Sequence, residues 1–242
     1  MPSTVHADQA PPPCNNPDEL TRLAAPLSRV ARRIAAGQPI TIVAIGSSST
    51  AGAGASSPAG SYPSRLEVEL KSRFRGHAVT VINRGANGEE IADMLKRFDE
   101  AVVASKPDLV LWQLGTNSVI RDHSVSGHGA LIRAGIRKVR AIGADMVLID
   151  PQYAPMVIAK PDAERVVEFL AATAKQENVD LFRRYDVMKR WHQVERIGFD
   201  AFVAPDGLHL NDWSYACMAK CLGAAIAEAA QRPVMSATAY PQ

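Results

Sequence analysis

Apolar residues in this chain fall into two alternating patterns. The first is a set of short, nearly unbroken runs: residues 39–46, 78–82, 107–114, 145–149 and 179–182. They are rich in Val, Ile and Leu and show no polar alternation, which predicts strands buried on both faces, as in a parallel sheet. The second pattern has helical spacing. Leu20, Leu23, Leu27, Val30 and Ile34 predict a first helix closed by Gly37, with a break at Pro26. Leu66, Val68 and Leu70 predict a second from Tyr62 to about 74. Ile91, Met94, Leu95, Phe98 and Val102 predict one continuous helix over 89–105. Ile132, Ile136 and Val139 mark a fourth, and Val166, Val167, Leu170 and Ala174 a fifth over 163–176. Residues 186–195 read as helical or irregular. Tyr215, Met218, Leu222, Ile226 and Ala229 mark a final helix from Asp212. Residues 47–61 are almost all Ser, Gly, Ala and Pro and predict a loop. Strand and helix alternate five times on short connections, so the expected fold class is α/β, with a parallel sheet covered on both faces.

At 242 residues the chain suits one domain with short appendages. The expected division is a flexible Pro-rich arm over 1–16, one domain over 17–232 and a flexible tail over 233–242. A content of 47% hydrophobic and 21% charged residues supports a sizeable core. The formal charge of +2 and the lack of any Lys/Arg tract point away from nucleic acid as a partner. Arg29, Arg32 and Arg33 share a spacing that fits one solvated helix face. No run is long and apolar enough for a membrane span.

The three cysteines are Cys14, Cys217 and Cys221. Their spacing matches no zinc pattern. Two readings stay open: three free thiols, or a disulfide from Cys14 to Cys217 or Cys221 that pins the arm to the last helix. The second reading, with the Pro-rich start, tilts the expected location to a periplasmic or secreted one, and otherwise to the cytoplasm.

In open α/β sheets ligands bind beyond the carboxyl ends of the strands. Those ends carry Gly46-Ser-Ser48-Ser-Thr50, Asn83-Arg-Gly85-Ala-Asn87-Gly88 and Gly115-Thr-Asn117. Asp206-Gly-Leu-His209 precedes the last helix. A serine hydroxyl is a weak nucleophile until a positioned base takes its proton. His209 is the candidate base, and Asp206, three residues earlier in a turn, can orient it. Glycine at 88 lets a backbone N–H approach an oxyanion, and the Asn117 amide can donate a second bond. His123, His128 and His192 have no such partner nearby in sequence. Gly52-Ala-Gly54 lacks the spacing of a nucleotide loop.

Taken together, these four blocks resemble those of the SGNH (GDSL-type) serine hydrolases. The resemblance implies a three-layer α/β/α, flavodoxin-like fold with a five-stranded parallel sheet of order 2-1-3-4-5. It implies Ser48 as nucleophile and Asp206 and His209 as the rest of the triad. It makes the N–H groups of Ser48 and Gly88 and the Asn117 side chain the oxyanion hole, and it calls for no cofactor and no metal. One departure stands out: the family usually carries aspartate before the nucleophile, and this chain has Ser47. Order around Ser48 must then rest on other hydrogen bonds. The expected chemistry is hydrolysis of a short acyl ester through an acyl-serine, with acetate on a sugar or cell-envelope polysaccharide as the expected substrate. The small residues over 51–61 form no bulky lid for long chains. Tyr153, in the loop after the fourth strand, either lines the acyl pocket or packs. Acyl transfer, lipase or thioesterase chemistry on the same triad, and carbohydrate binding without hydrolysis, remain open alternatives.

Overall fold

The computed structural model of the chain describes residues 11–15, 17–123 and 127–232. Five strands form it: β1 Ile40–Gly46, β2 Val79–Gly85, β3 Leu109–Gln113, β4 Asp145–Ile149 and β5 Asp180–Phe182. Thirteen helices surround them among the described residues: α1 Asp18–Thr21, α2 Ser28–Ala35, α3 Ser48–Ala51, α4 Tyr62–Arg73, α5 Ile91–Lys96, α6 Phe98–Ala101, α7 Thr116–Ile120, α8 His128–Ala141, α9 Pro155–Ile158, α10 Ala163–Gln176, α11 Arg184–Gln193, α12 Phe199–Phe202 and α13 Asp212–Gln231. The strands lie in the order β2-β1-β3-β4-β5, all parallel. This is the α/β fold and strand order expected from the sequence.

The apolar runs are buried as their lack of alternation requires. Ile42, Val43, Ala44 and Ile45 of β1 and Leu109 to Trp112 of β3 are fully shielded from water. Trp112 receives Phe98 edge-on at a centroid distance of 5.1 Å and donates its indole N–H to the Met94 sulfur at 3.2 Å. The apolar face of α8 meets the same ring at Gly135. On the opposite face α4 packs against α13.

The first predicted helix is broken around Pro26, as expected, into two pieces, α1 and α2, and several other elements differ from the expectation. The segment between them carries Pro26, and the Asp180 carboxylate holds it by accepting the N–H groups of Ala24 and Ala25 at 2.6 and 3.0 Å. The continuous helix expected over 89–105 breaks at Arg97 into α5, α6 and a 3-10 turn at Val103–Ser105. Arg97 leaves the helical path and its guanidinium binds Glu89 and the Arg84 carbonyl. The expected loop over 47–61 holds α3 and a 3-10 turn at Pro58–Gly60. The arginine cluster on α2 is not simply solvated either. Arg29 and Arg33 both donate through Nε to Asp108 Oδ1, at 2.9 and 2.7 Å, while Arg32 stays exposed. Burial raises the Asp108 pKa, but these bonds and that from the Thr41 N–H outweigh it and hold the carboxyl below its ordinary range.

Cys14 and Cys217 form a disulfide, and Cys221 is a buried free thiol whose pKa burial pushes up to about 12. Trp213 donates its indole N–H to the Pro12 carbonyl at 2.9 Å, so residues 11–15 lie along the start of α13. The rest of the expected arm, 1–10 and 16, and the expected tail over 233–242 lie outside the described residues. No helix among those described is long and apolar enough to cross a membrane.

Candidate active site

All the candidate loops gather beyond the carboxyl ends of β1, β2 and β3. β1 ends at Gly46, and α3 begins two residues later, so Ser48 is the first helical residue. Its N–H is one of those that a helix leaves without an internal partner. The α3 turn sits directly on Gly85 of β2, where a Cβ would lie 2.1 Å from the Ala51 nitrogen. Any side chain at position 85 would push the Ser48 turn away, which is why that block ends its strand in glycine.

The family aspartate position is occupied by Ser47, and the buried Gln113 at the end of β3 does the ordering. Gln113 Oε1 accepts from the Ser47 N–H at 2.9 Å and from the Ser47 hydroxyl at 3.0 Å. These are the other hydrogen bonds that the departure at Ser47 calls for. Nothing in the motif pointed to Gln113. Its signal was a lone amide closing an otherwise apolar buried strand.

His209 stands in a tight turn closed by the Val203–Leu210 bridge and by the Ala204 N–H on the His209 carbonyl at 2.7 Å. Within it Asp206 Oδ1 accepts the N–H groups of Leu208 and His209, both at 2.9 Å. Asp206 Oδ2 lies 2.6 Å from His209 Nδ1, and His209 Nε2 lies 2.8 Å from Ser48 Oγ. Partial burial raises the Asp206 pKa. The bonds from His209 and the two N–H groups outweigh it and hold the carboxyl below its ordinary range. An ionised carboxylate only accepts, so His209 Nδ1 carries the proton and Nε2 accepts from the Ser48 hydroxyl. Ser48, His209 and Asp206 thus form one unbroken hydrogen-bonded chain, across 161 residues of sequence between the first two.

Asn117 is the second residue of α7 and is buried. Its Nδ2 donates one hydrogen to the Glu89 carbonyl at 2.8 Å, which fixes the amide beside Gly88. Gly88 has a φ of +76°, a conformation that costs glycine little. Tyr153 is 7% exposed and packs on Tyr185, His192 and Phe199, with its hydroxyl accepting from Gln193 Nε2 at 3.2 Å. Of its two open roles, packing is the one this geometry describes. His192 stacks on Phe199 at 4.1 Å, and His123 binds Glu90, so neither joins the triad.

A second group of polar side chains lies beneath the triad, and sequence reasoning passed over it. Gln152 Oε1 accepts from the Thr116 hydroxyl and from Arg184 Nη2, each at 2.9 Å, and Gln152 Nε2 donates to the Leu208 carbonyl at 3.2 Å. Gln152, Thr116 and Arg184 are each at most 3% exposed.

The Non-GDSL lipase-like family model matches residues 13–232. An acetylxylan esterase from Geobacillus stearothermophilus is 24% identical over 156 residues, covering 58% of this chain and 68% of that protein. Among solved structures, a two-domain esterase active on acetylated mannans superposes with a TM-score of 0.75 at 20% identity, over 93% of this chain and 60% of that one. This chain therefore spans about 60% of the length of that two-domain protein. A lipolytic protein of the G-D-S-L family from Desulfitobacterium hafniense, described as putative in its structure, superposes with a TM-score of 0.64 at 19% identity, over 76% and 98%. The match of the family model over nearly the whole described chain makes the chain a member of the Non-GDSL lipase-like family, on the fold of the SGNH hydrolases.

Proposed function

We propose that the chain hydrolyses short acyl esters, acetate above all, carried on a carbohydrate. The observation behind the chemistry is the continuous Ser48–His209–Asp206 chain at 2.8 and 2.6 Å. In the first step Ser48 Oγ passes its proton to His209 Nε2 and attacks the ester carbonyl carbon. Asp206 holds the imidazole in the tautomer that can take this proton and stabilises the imidazolium that forms. The N–H groups of Ser48 and Gly88 and the Asn117 amide are the candidate donors to the oxyanion. Collapse of the tetrahedral intermediate breaks the bond to the alcohol, which leaves with the proton from His209. Water, activated by the same imidazole, then releases the acid from the acyl-serine.

Support for a short acyl group comes from the residues over 51–61, which are small and offer no apolar cover for a long chain. Support for a sugar as the alcohol comes from the acetylxylan and acetylmannan esterases to which the chain is similar. A cleft of about 470 Å³ adjoins the His209 turn, lined by Pro205 and Gly207 of that turn together with Pro155 and Phe199. We also propose an oxidising location, periplasmic or secreted, which suits a Cys14–Cys217 bond.

Hydrolysis of p-nitrophenyl acetate, butyrate and octanoate, followed by acetylated xylan and mannan, tests the reading. Acetate is expected to turn over fastest. Ser48→Ala and His209→Ala are each expected to lower kcat by about 10³-fold or more. Activity that survives Ser48→Ala would move the nucleophile to another residue. A preference for octanoate would replace the short-acyl reading with a lipase one.

A further inference from the structure

We infer that Gln152, oriented by Arg184, is the positioning residue that holds the catalytic His209 turn against Ser48. This inference rests on the triad reading above and adds a residue that no motif of the chain marks.

The argument begins with the orientation of one amide. Gln152 Oε1 faces three donors, the Thr116 hydroxyl and Arg184 Nη2, each at 2.9 Å, and the Ser49 hydroxyl at 3.5 Å. Turning the amide over would place its NH2 group against a buried guanidinium, donor against donor. Arg184 therefore decides which way the amide points. Arg184 is itself anchored, because its Nε donates to the Asp150 carbonyl at 2.9 Å. With Oε1 committed, Nε2 faces the Leu208 carbonyl at 3.2 Å.

Leu208 is the residue before His209. Its N–H is held by Asp206 from within the turn, and its carbonyl is held by Gln152 from β4's side of the sheet. The turn is thus gripped at both faces of one peptide segment. Asp206 alone fixes the shape of the turn but not its place relative to Ser48, since Asp206 moves with the turn. Gln152 belongs to the loop after β4 and is buried, so together with the Met156 N–H, which donates to the Gly207 carbonyl at 3.0 Å, it supplies the reference to the sheet, and it is the tie nearer His209. Thr116 precedes Asn117, so the same amide also ties the α7 start to the His209 turn. Gln152 touches no reacting atom and acts through Leu208.

Gln152→Glu separates this role from general support of the fold. A carboxylate keeps the volume and still accepts from Arg184 and Thr116, but it cannot donate to the Leu208 carbonyl. Expected results are a kcat lower by roughly 10- to 100-fold with KM changed by less than about threefold. The far-downfield proton resonance of His209 Nδ1–H, assigned by its loss in His209→Ala, is expected to shift or broaden. Wild-type kcat together with an unmoved resonance in Gln152→Glu would overturn the inference. If that variant does not fold, the double variant Gln152→Met/Arg184→Met replaces the pair with apolar side chains of similar volume, and the same two readings apply. The resonance needs no turnover. A wild-type protein inactive on every ester, yet with a resonance that depends on Gln152, would sink the esterase reading and leave this one standing.

Discussion

Asp150 and Arg184 are two fully buried ionisable residues close enough to influence each other, and they show how one side chain sets a pH dependence. Burial pushes the Asp150 pKa up to about 7 and that of Arg184 down to about 10. Asp150 Oδ1 accepts the Tyr185 N–H at 2.9 Å, and its Oδ2 has no partner among the described residues. In the unfolded chain this carboxyl titrates near 3.8. Between that value and about 7 the folded protein holds the proton and the unfolded chain does not. The contribution of Asp150 to stability is therefore complete at low pH and is lost as the pH rises through about 7. Asp150→Asn fixes the neutral form. Urea unfolding from pH 4 to 8 is expected to show the wild type losing stability relative to Asp150→Asn as the pH rises. Parallel curves for the two proteins would mean that Asp150 is ionised in both states. The same scale explains Ser47. An isolated serine carries no instruction, but its N–H and hydroxyl both end on Gln113, so a glutamine on the neighbouring strand β3, 66 residues along the chain, takes over the ordering of the Ser48 turn.

At the scale of elements, contacts rather than propensity decide where helices begin, break and dock. α8 reads as an ordinary amphipathic helix, yet its approach to the sheet is set at one point. A Cβ on Gly135 would fall 2.2 Å from Trp112 Cζ3. Trp112 cannot retreat, because Phe98 closes on it edge-on and Met94 accepts its N–H. Gly135→Ala should raise helix propensity, a gain of up to about 1 kcal/mol taken alone. The overpacked ring is expected to reverse that sign, giving a net loss of about 1–3 kcal/mol by denaturant unfolding. A stabilised variant would show that α8 can slide outward at little cost. The break of the expected 89–105 helix has a related origin. Leu95, Phe98 and Val102 keep their helical spacing, but Arg97 is drawn aside by Glu89 and the Arg84 carbonyl.

For the whole molecule, the ends of the described chain are tied together on one side of the sheet. The bond between Cys14 and Cys217 closes a loop of 203 residues. Cross-links over long loops restrict the unfolded chain most. Cys14→Ser, or reduction of the wild type, is expected to cost about 2–5 kcal/mol, a fall in melting midpoint of roughly 5–15 °C. Thermal scans with and without reductant measure it, alongside a thiol count by alkylation and mass. The count is expected to rise from one to three on reduction, since Cys221 is the remaining free thiol. A count of three without reductant would remove the disulfide and with it the main support for an oxidising location. The opposite edge of the sheet is tied without a covalent bond. Asp145 and Asp180, at the starts of β4 and β5, accept the N–H groups of Arg29, Val30, Ala24 and Ala25.

What the sequence determined by itself is what depends on neighbours along the chain. Buried strands appear as unbroken apolar runs because both of their faces must leave water, and five of them in alternation with helices allow few topologies. Asp206 and His209 are three residues apart, so their pairing is a property of one turn and is legible without a fold. Ser48, Gly88 and Asn117 were legible only as motif positions, each at the end of a strand. The tertiary structure decided the rest, because the partners lie far apart in the chain. It chose Cys217 over Cys221 for Cys14, a choice of which turn meets the arm, since the two lie four residues apart on one face of α13 and all three sulfurs lie within 4.8 Å of one another. It turned Arg29 and Arg33 onto Asp108. It placed Gln113 under Ser47 and Gln152 under Leu208, and it buried Arg184 where its charge sets the direction of an amide. A lone glutamine or arginine has no periodicity and no motif; its role exists only once burial removes water as the alternative partner and leaves one donor facing one acceptor.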